Sequence, residues 1–213
     1  MCGRFCIAAS PGELMERYQG DVPSEYKPRY NIAPGQKVLT ITRAETQVSE
    51  AQFMEWGIST GMTSRVINAR VESIHEKPLF RSLFQRHRCL IPASGYYEWK
   101  HEGSHKTPYY LSSATTRLIS FAGLIRPSKE GDQIVILTTE ANPPSSEIHD
   151  RKPVILNPPD EMRFLTDGEI IQIGAPLGMY EVSPRVNGIR EDSPDLIIPW
   201  RSRSVQQAFG DIE

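Results

Sequence analysis

The chain has 213 residues, of which 24 are Lys or Arg and 26 are Asp or Glu; its formal net charge is −2, with 38% hydrophobic and 23% charged residues. That length suits one domain able to bury its own core, and the near-neutral charge excludes a polycation that coats nucleic acid while allowing a local basic patch. No apolar run approaches the roughly 18 residues of a membrane span, the opening Met-Cys-Gly-Arg-Phe-Cys lacks the layout of a signal peptide, and three cysteines are too few for a disulfide framework. These features predict a cytoplasmic protein that needs no membrane.

Arg4, Phe5 and Cys6 alternate as the start of a strand. Ser10-Pro11-Gly12-Glu13 has capping-box spacing with proline at the first helical position, which predicts a helix over about 11–19. The β-rich runs 37–43 and 48–56 predict a hairpin. In 78–88 the residues Leu79, Phe80, Leu83 and Phe84 fall at helical spacing, with arginines on the other face. Strand-like runs follow at 89–92, 96–100, 108–111, 118–124 and 134–139, then a helix start at Asn157-Pro158-Pro159-Asp160. Shorter strand candidates lie at 170–173 and 180–182. Strands outnumber helices, so the expectation is an α+β fold. It is a single domain over 1–202 with a mostly antiparallel, barrel-like β-sheet core, a few short flanking helices, and a polar C-terminal tail over 203–213.

Charge is uneven along this order. Residues 65–106 hold eight basic groups against four glutamates, a local +4 that leaves −6 for the remainder. Such a segment is either a solvated helix face or a groove that follows a phosphate backbone.

Cys2 carries the strongest chemical signal. Once an initiator methionine is removed, a terminal cysteine sets an α-amine (reference pKa about 7.7–8.0) beside a thiol (about 8.5). The amine can act as the base for its own thiolate, as in N-terminal-nucleophile hydrolases. It can also condense with an aldehyde to a Schiff base, which the thiol traps as a five-membered thiazolidine. The plain alternative is a small buried residue at a processed terminus; Gly3 counts against it by letting the backbone approach a substrate closely. Cys6 and Cys89 sit in apolar settings that read as core, and a zinc site from Cys2, Cys6, His87 and Cys89 matches no standard spacing. No metal or cofactor is expected.

Other candidates sit beside strand-like runs. Asn68-Ala69-Arg70 joins an orienting amide to a cation. Glu98, within Gly95-Tyr96-Tyr97-Glu98-Trp99, is either an exposed strand glutamate or a desolvated carboxyl with a raised pKa, suited to general acid–base work. His149-Asp150-Arg151 follows a Pro-Pro-Ser-Ser loop and alone reads as a loop histidine. His75, His87, His101 and His105 carry no signal. There is no phosphate-binding glycine loop and no zinc-protease helix.

Five blocks in order form a family pattern: Met1-Cys2-Gly3-Arg4-Phe5; Arg29-Tyr30-Asn31-Ile32-Ala33-Pro34-Gly35; Asn68-Ala69-Arg70-Val71-Glu72; Arg88 through Trp99; and His149 through Leu156. They resemble the SOS response-associated peptidase (SRAP) family from residue 2 to about Val186, where Val182 through Asn187 also fits. The resemblance implies a protein that covalently captures abasic sites in single-stranded DNA during the DNA damage response. It implies autoproteolytic removal of Met1, a Schiff base on the Cys2 amine and closure by its thiol. Asn68 would position the opened sugar. Glu98 would move protons in ring opening, Schiff-base formation and methionine removal, and His149 would be a second acid/base that also assists reversal. Gly3, Arg4, Asn31, Pro34, Arg70 and Arg151 would form the DNA-binding set, with Arg4, Arg70 and Arg151 on phosphates. The partner would be single-stranded DNA and its junctions with double strand, and the protein a monomer, nucleoid-associated if its host is bacterial. Relatives often place an aromatic, proline-rich wedge before Asn-Ala-Arg. Here that loop is short, 57–65, and Met62 would fill part of the role beside Pro34.

Two further classes stay open: an N-terminal-nucleophile peptidase or amidohydrolase acting on non-DNA substrates, and a non-covalent single-strand-binding module built on the basic segment and Trp99.

Overall fold

Short strands with buried apolar faces make up most of the regular secondary structure in the computed structural model, which describes residues 2–43, 49–61, 64–171 and 176–200. The N-terminal half contains β1 (Phe5–Ile7), α1 (Pro11–Tyr18), β2 (Arg29–Ile32), β3 (Lys37–Arg43), β4 (Ser49–Trp56), β5 (Ile58–Ser59), β6 (Arg65–Val66) and β7 (Asn68–Arg70). Then follow α2 (Pro78–Arg86), β8 (Arg88–Ala93), β9 (Gly95–Glu102), β10 (His105–Ser113), β11 (Ile119–Arg126) and β12 (Gln133–Glu140). The C-terminal part holds β13 (Arg151–Pro153), β14 (Ile155–Leu156), α3 (Pro158–Asp167) and β15 (Leu177–Glu181).

Local chemistry explains the helix ends. In α1 the Ser10 hydroxyl accepts from the Glu13 N–H, and the Glu13 carboxylate accepts from the Ser10 N–H at 2.7 Å, the reciprocal capping box. Proline opens all three helices, where its missing N–H costs nothing. Gly168, at φ +77°, ends α3 in the left-handed conformation.

The strands form two main sheets. One runs β15-β10-β9-β1-β2 and is antiparallel throughout. The other runs β13-β12-β4-β3-β8-β11-β14, and a β11–β12 pairing closes its middle into a ring of five strands. The ring is the barrel-like core expected from the sequence. Its pairings are antiparallel except where β12 runs parallel to β4 and to β7. Phe5 joins the sheets: its ring meets Trp56 at 5.2 Å and Phe121 at 5.7 Å, both edge-on. At Gly123 a Cβ would lie 2.2 Å from Ile91 Cδ1 and 3.1 Å from Cys89 Sγ, so a side chain there would force its neighbours to shift. Cys6 and Cys89 are fully buried. No helix among the described residues is long and apolar enough to cross a membrane.

Several expectations shift. The 108–111 run is the middle of a longer strand, because β9 and β10 form a hairpin registered from Tyr96↔Leu111 out to Glu102↔His105. The candidate at 170–173 is not a strand at Ile170 and Ile171, and its last two residues lie outside the described ones. Met62 and the tail 203–213 also lie outside them. The +4 segment does not form one groove. Arg88 is spent on the carbonyls of Gln85, Leu165 and Thr166 at the ends of α2 and α3, and Arg65 pairs with Glu55. Arg70 and Lys106 stand in two separate clefts.

Candidate active site

Pairing of β1 with β9 places the chain start. Phe5 registers with Tyr96, and the Tyr97 N–H donates to the Arg4 carbonyl at 2.9 Å. Cys2 therefore emerges beside Glu98. The third side chain comes from β7, which β12 holds in parallel register, Ile136 opposite Asn68. From there Asn68 Nδ2 donates to the Cys2 carbonyl at 2.9 Å. Asn68 Oδ1 is buried and has no hydrogen-bond partner among the described residues, so the amide keeps an acceptor in reserve.

Burial sets the electrostatics. Cys2 has no exposed surface, and its Sγ lies 4.0 Å from the Arg4 carbonyl oxygen. Desolvation pushes the thiol pKa well up, and the nearby Glu98 charge raises it further. Glu98 is 5% exposed; burial is the main influence raising its pKa, and Asp150 adds to it. Of the two readings of Glu98 from sequence, the desolvated carboxyl is the one observed.

His149 is half-buried on the loop before β13. Its Nδ1 accepts the Arg151 backbone N–H at 3.0 Å, yet Asp150 Oδ1 lies 2.6 Å from the same nitrogen. The two contacts ask for opposite protonation states. Burial is the largest influence and lowers the pKa, so the neutral ring accepting from Arg151 is the resting form. Asp150 opposes this by favouring the protonated ring.

Arg4 Nη1 donates to Asn31 Oδ1 at 2.7 Å and to the Val186 carbonyl at 2.8 Å, and its guanidinium lies 5.8 Å from the Trp99 ring centre. Asn31 is fully buried and donates through Nδ2 to the carbonyls of Val186, Gly188 and Glu191. It touches no solvent, and its Oδ1 is the acceptor that holds Arg4. Asp192 fixes it in turn, Oδ1 accepting the backbone N–H groups of Tyr30 at 2.5 Å and Asn31 at 3.0 Å. Gly3 is half-buried between Cys2 and Arg4. Half-buried Pro34 opens a turn in which Gly35, at φ +85°, donates to the Trp56 carbonyl at 2.7 Å. That bond ties the turn to the residue just before the 57–65 loop.

Arg70 is exposed at the end of β7. Arg151 is not free: Nη1 and Nη2 grip the two Glu72 oxygens at 3.0 and 2.8 Å, and Nη2 also donates to the Thr138 carbonyl. That fork holds Glu72 well below the usual carboxylate range, at about 2.

Two clefts flank this centre. One, of about 470 Å³, lies between Arg4, Glu98, Trp99, His101, Lys106 and Asn187 and reaches His149. The other, of about 400 Å³, is walled by Arg70, Glu72, Ser73, Glu140, Asp150 and Arg151. The 149–151 turn separates them. The structure thus gathers Cys2, Asn68, Glu98 and His149 around one point, sets Arg4 on one side and Arg70 with Arg151 on the other, and leaves Pro34 beside the neighbouring loop. Sequence reasoning missed Glu72, His101, Lys106, Asn187 and Asp192. For Glu72 and Asn187 the signal was present, since both stand in recognised blocks; Asp192 contributes through a turn that no local pattern marks.

A family model, SOS response associated peptidase (SRAP), matches residues 1–189. The chain is 34% identical over 222 residues to abasic site processing protein YoqW of Bacillus subtilis, covering 92% of this chain and 99% of that protein. It is 31% identical to abasic site processing protein YedK of Escherichia coli, covering 93% and 100%. A crystal structure of a protein from Bacteroides thetaiotaomicron superposes with a TM-score of 0.78 at 23% identity, over 94% of this chain and 100% of that one, a likeness of fold alone.

Proposed function

The chain belongs to the SOS response-associated peptidase family, and from that premise we propose that it captures abasic sites in single-stranded DNA through the Cys2 amine and thiol. Relatives named abasic site processing proteins support the target. The observation that carries the mechanism is the convergence of Asn68, Glu98 and His149 on the chain start, with Asn68 bonded to the Cys2 carbonyl.

Hydrolysis of the Met1–Cys2 peptide bond consumes one water and frees the α-amine. The amine adds to the C1′ aldehyde of the opened deoxyribose, and loss of water from the carbinolamine gives the C=N bond. The thiol then adds across it: an S–C bond forms and the S–H proton ends on nitrogen. A buried thiol that stays protonated suits this order, because the neutral amine attacks first and ring closure uses both thiol atoms. Glu98, with a raised pKa, can take and return protons at each step. His149, resting neutral, serves the sugar side, and Asn68 offers its open Oδ1 to a sugar hydroxyl. Arg4, Arg70 and Arg151 hold flanking phosphates, with Asn31 acting through Arg4. Pro34 and the 57–65 loop bear on junctions with double strand.

Intact mass spectrometry tests this reading. The isolated protein should lack Met1, and incubation with single-stranded DNA bearing an abasic site should add the strand's mass minus one water. Cys2→Ala should abolish the adduct. No adduct from folded protein that has lost Met1 would overturn the proposal, and repeated turnover on a peptide or amide without DNA would favour the N-terminal-nucleophile hydrolase.

A further inference from the structure

The wall of the larger cleft opposite Arg70 has donors without acceptors. Trp99 Nε1, which can only donate, bonds Asn187 Oδ1 at 2.7 Å. That bond fixes the amide orientation. Asn187 Nδ2 therefore faces away from the indole with both hydrogens unpaired among the described residues, on an exposed residue that lines the cleft. Arg4 Nε, behind the same indole, is buried and also lacks a partner among the described residues. Lys106 completes the wall. It stands opposite His101 in the β9–β10 register, so both side chains project from one face of the hairpin, and Lys106 forms no ion pair among the described residues.

We propose that Asn187 Nδ2 and Lys106 Nζ form a second phosphate seat, which takes the backbone on the side of the lesion away from Arg70 and Arg151. The inference rests on the single-stranded DNA reading above and adds two residues to it. Unpaired donors beside a cation recognise an anionic, acceptor-rich ligand, and a backbone phosphate presents both features. The 149–151 turn lies between the two clefts, so a strand seated in both would cross over His149 and bring its lesion to Cys2. Asn187 also locks the Trp99 plane against Arg4, so the seat and the Arg4 side chain share one support.

Equilibrium binding by fluorescence anisotropy, with single-stranded DNA carrying a tetrahydrofuran abasic analogue, tests the seat. The analogue has no aldehyde and cannot be captured, so the result does not depend on crosslinking. Asn187→Asp keeps an acceptor for the indole but sets a carboxylate oxygen where the donor stood. Lys106→Ala removes the cation. Each should weaken binding several-fold, and Lys106→Ala should also flatten the dependence of log affinity on log salt by about 0.7, the release expected for one phosphate contact on a single strand. Unchanged affinity and slope in both folded variants would overturn the seat. Equal weakening by Asn187→Asp and Asn187→Ser with an unchanged Lys106→Ala slope would do the same, assigning Asn187 to holding Trp99 alone. If the wild type captures true abasic DNA and these variants bind normally, the seat fails while the function stands.

Discussion

Glu98 shows how the proposed role of one residue carries a stability cost. Its carboxyl is held above its ordinary pKa by burial, so the folded state binds a proton more tightly than the unfolded chain. Between the two pKa values the native state carries more protons, and stability falls as pH rises through that window, opposite in sign to an ion-paired acid. Glu98→Gln removes the ionisable group. Relative to wild type it should melt progressively higher as pH is raised from 4 to 8, while Met1 removal slows by about 10²–10⁴-fold, the range for loss of a positioned proton carrier. Calorimetry across pH and timed mass spectrometry check the two halves. A melting difference that does not change with pH would show that Glu98 is not the group held protonated. Glu72 has the reverse sign. Its Arg151 fork contributes stability above the unfolded pKa of about 4.3, lost only as pH falls toward 2.

Elements deliver these residues, and two junctions matter most. The ring is tight at Gly123, where Ile91, Val135 and Cys89 crowd the missing side chain. Gly123→Ala must displace them, so urea denaturation should show a loss of about 1–3 kcal/mol, the usual cost of overpacking a core. The other junction is the 186–192 turn against the edge strand β2. Asp192→Ala leaves two strand N–H groups without their acceptor and removes the ion-pair partner of Arg29. It should destabilise by about 1–2 kcal/mol and, by loosening Asn31, weaken single-stranded DNA binding through Arg4. Binding equal to wild type would separate the turn from the site. Helix ends and hairpins were legible because their signals are local: Ser10 and Glu13 are three residues apart, and the 37–43 and 49–56 strands are sequence neighbours. Strands β2 and β7 are too short to show a period, and they exist because β1 and β12 supply their hydrogen bonds.

At the scale of the whole molecule, the proposed reading calls on four cations. The proposed phosphate contacts are Arg4, Arg70, Arg151 and Lys106, while Arg88 and Arg65 of the basic segment bond within the protein. The salt slope for single-stranded DNA should then be no steeper than about −3. Anisotropy titrations between 50 and 300 mM salt measure it, and a slope near −6 would mean that the +4 segment binds as a block.

Sequence alone determined what depends on neighbours along the chain and on residue chemistry: the cysteine at position 2, the caps, the hairpin and the family blocks that hold Asn68, Glu98 and His149. Charge counting along the chain left two readings open, because it cannot tell a cation that caps helix ends from one that faces a cleft. Only the tertiary structure decided that Glu98 is buried, that Asn31 is buried and holds Arg4, that Arg151 is already gripped by Glu72, and that Asn187 turns a donor toward the cleft. Each of those facts arises from contacts between residues about 27 to 182 positions apart, such as Arg4 with Asn31 and Val186. Burial and hydrogen-bond partnership at that range exist only once the sheets have closed around the chain start.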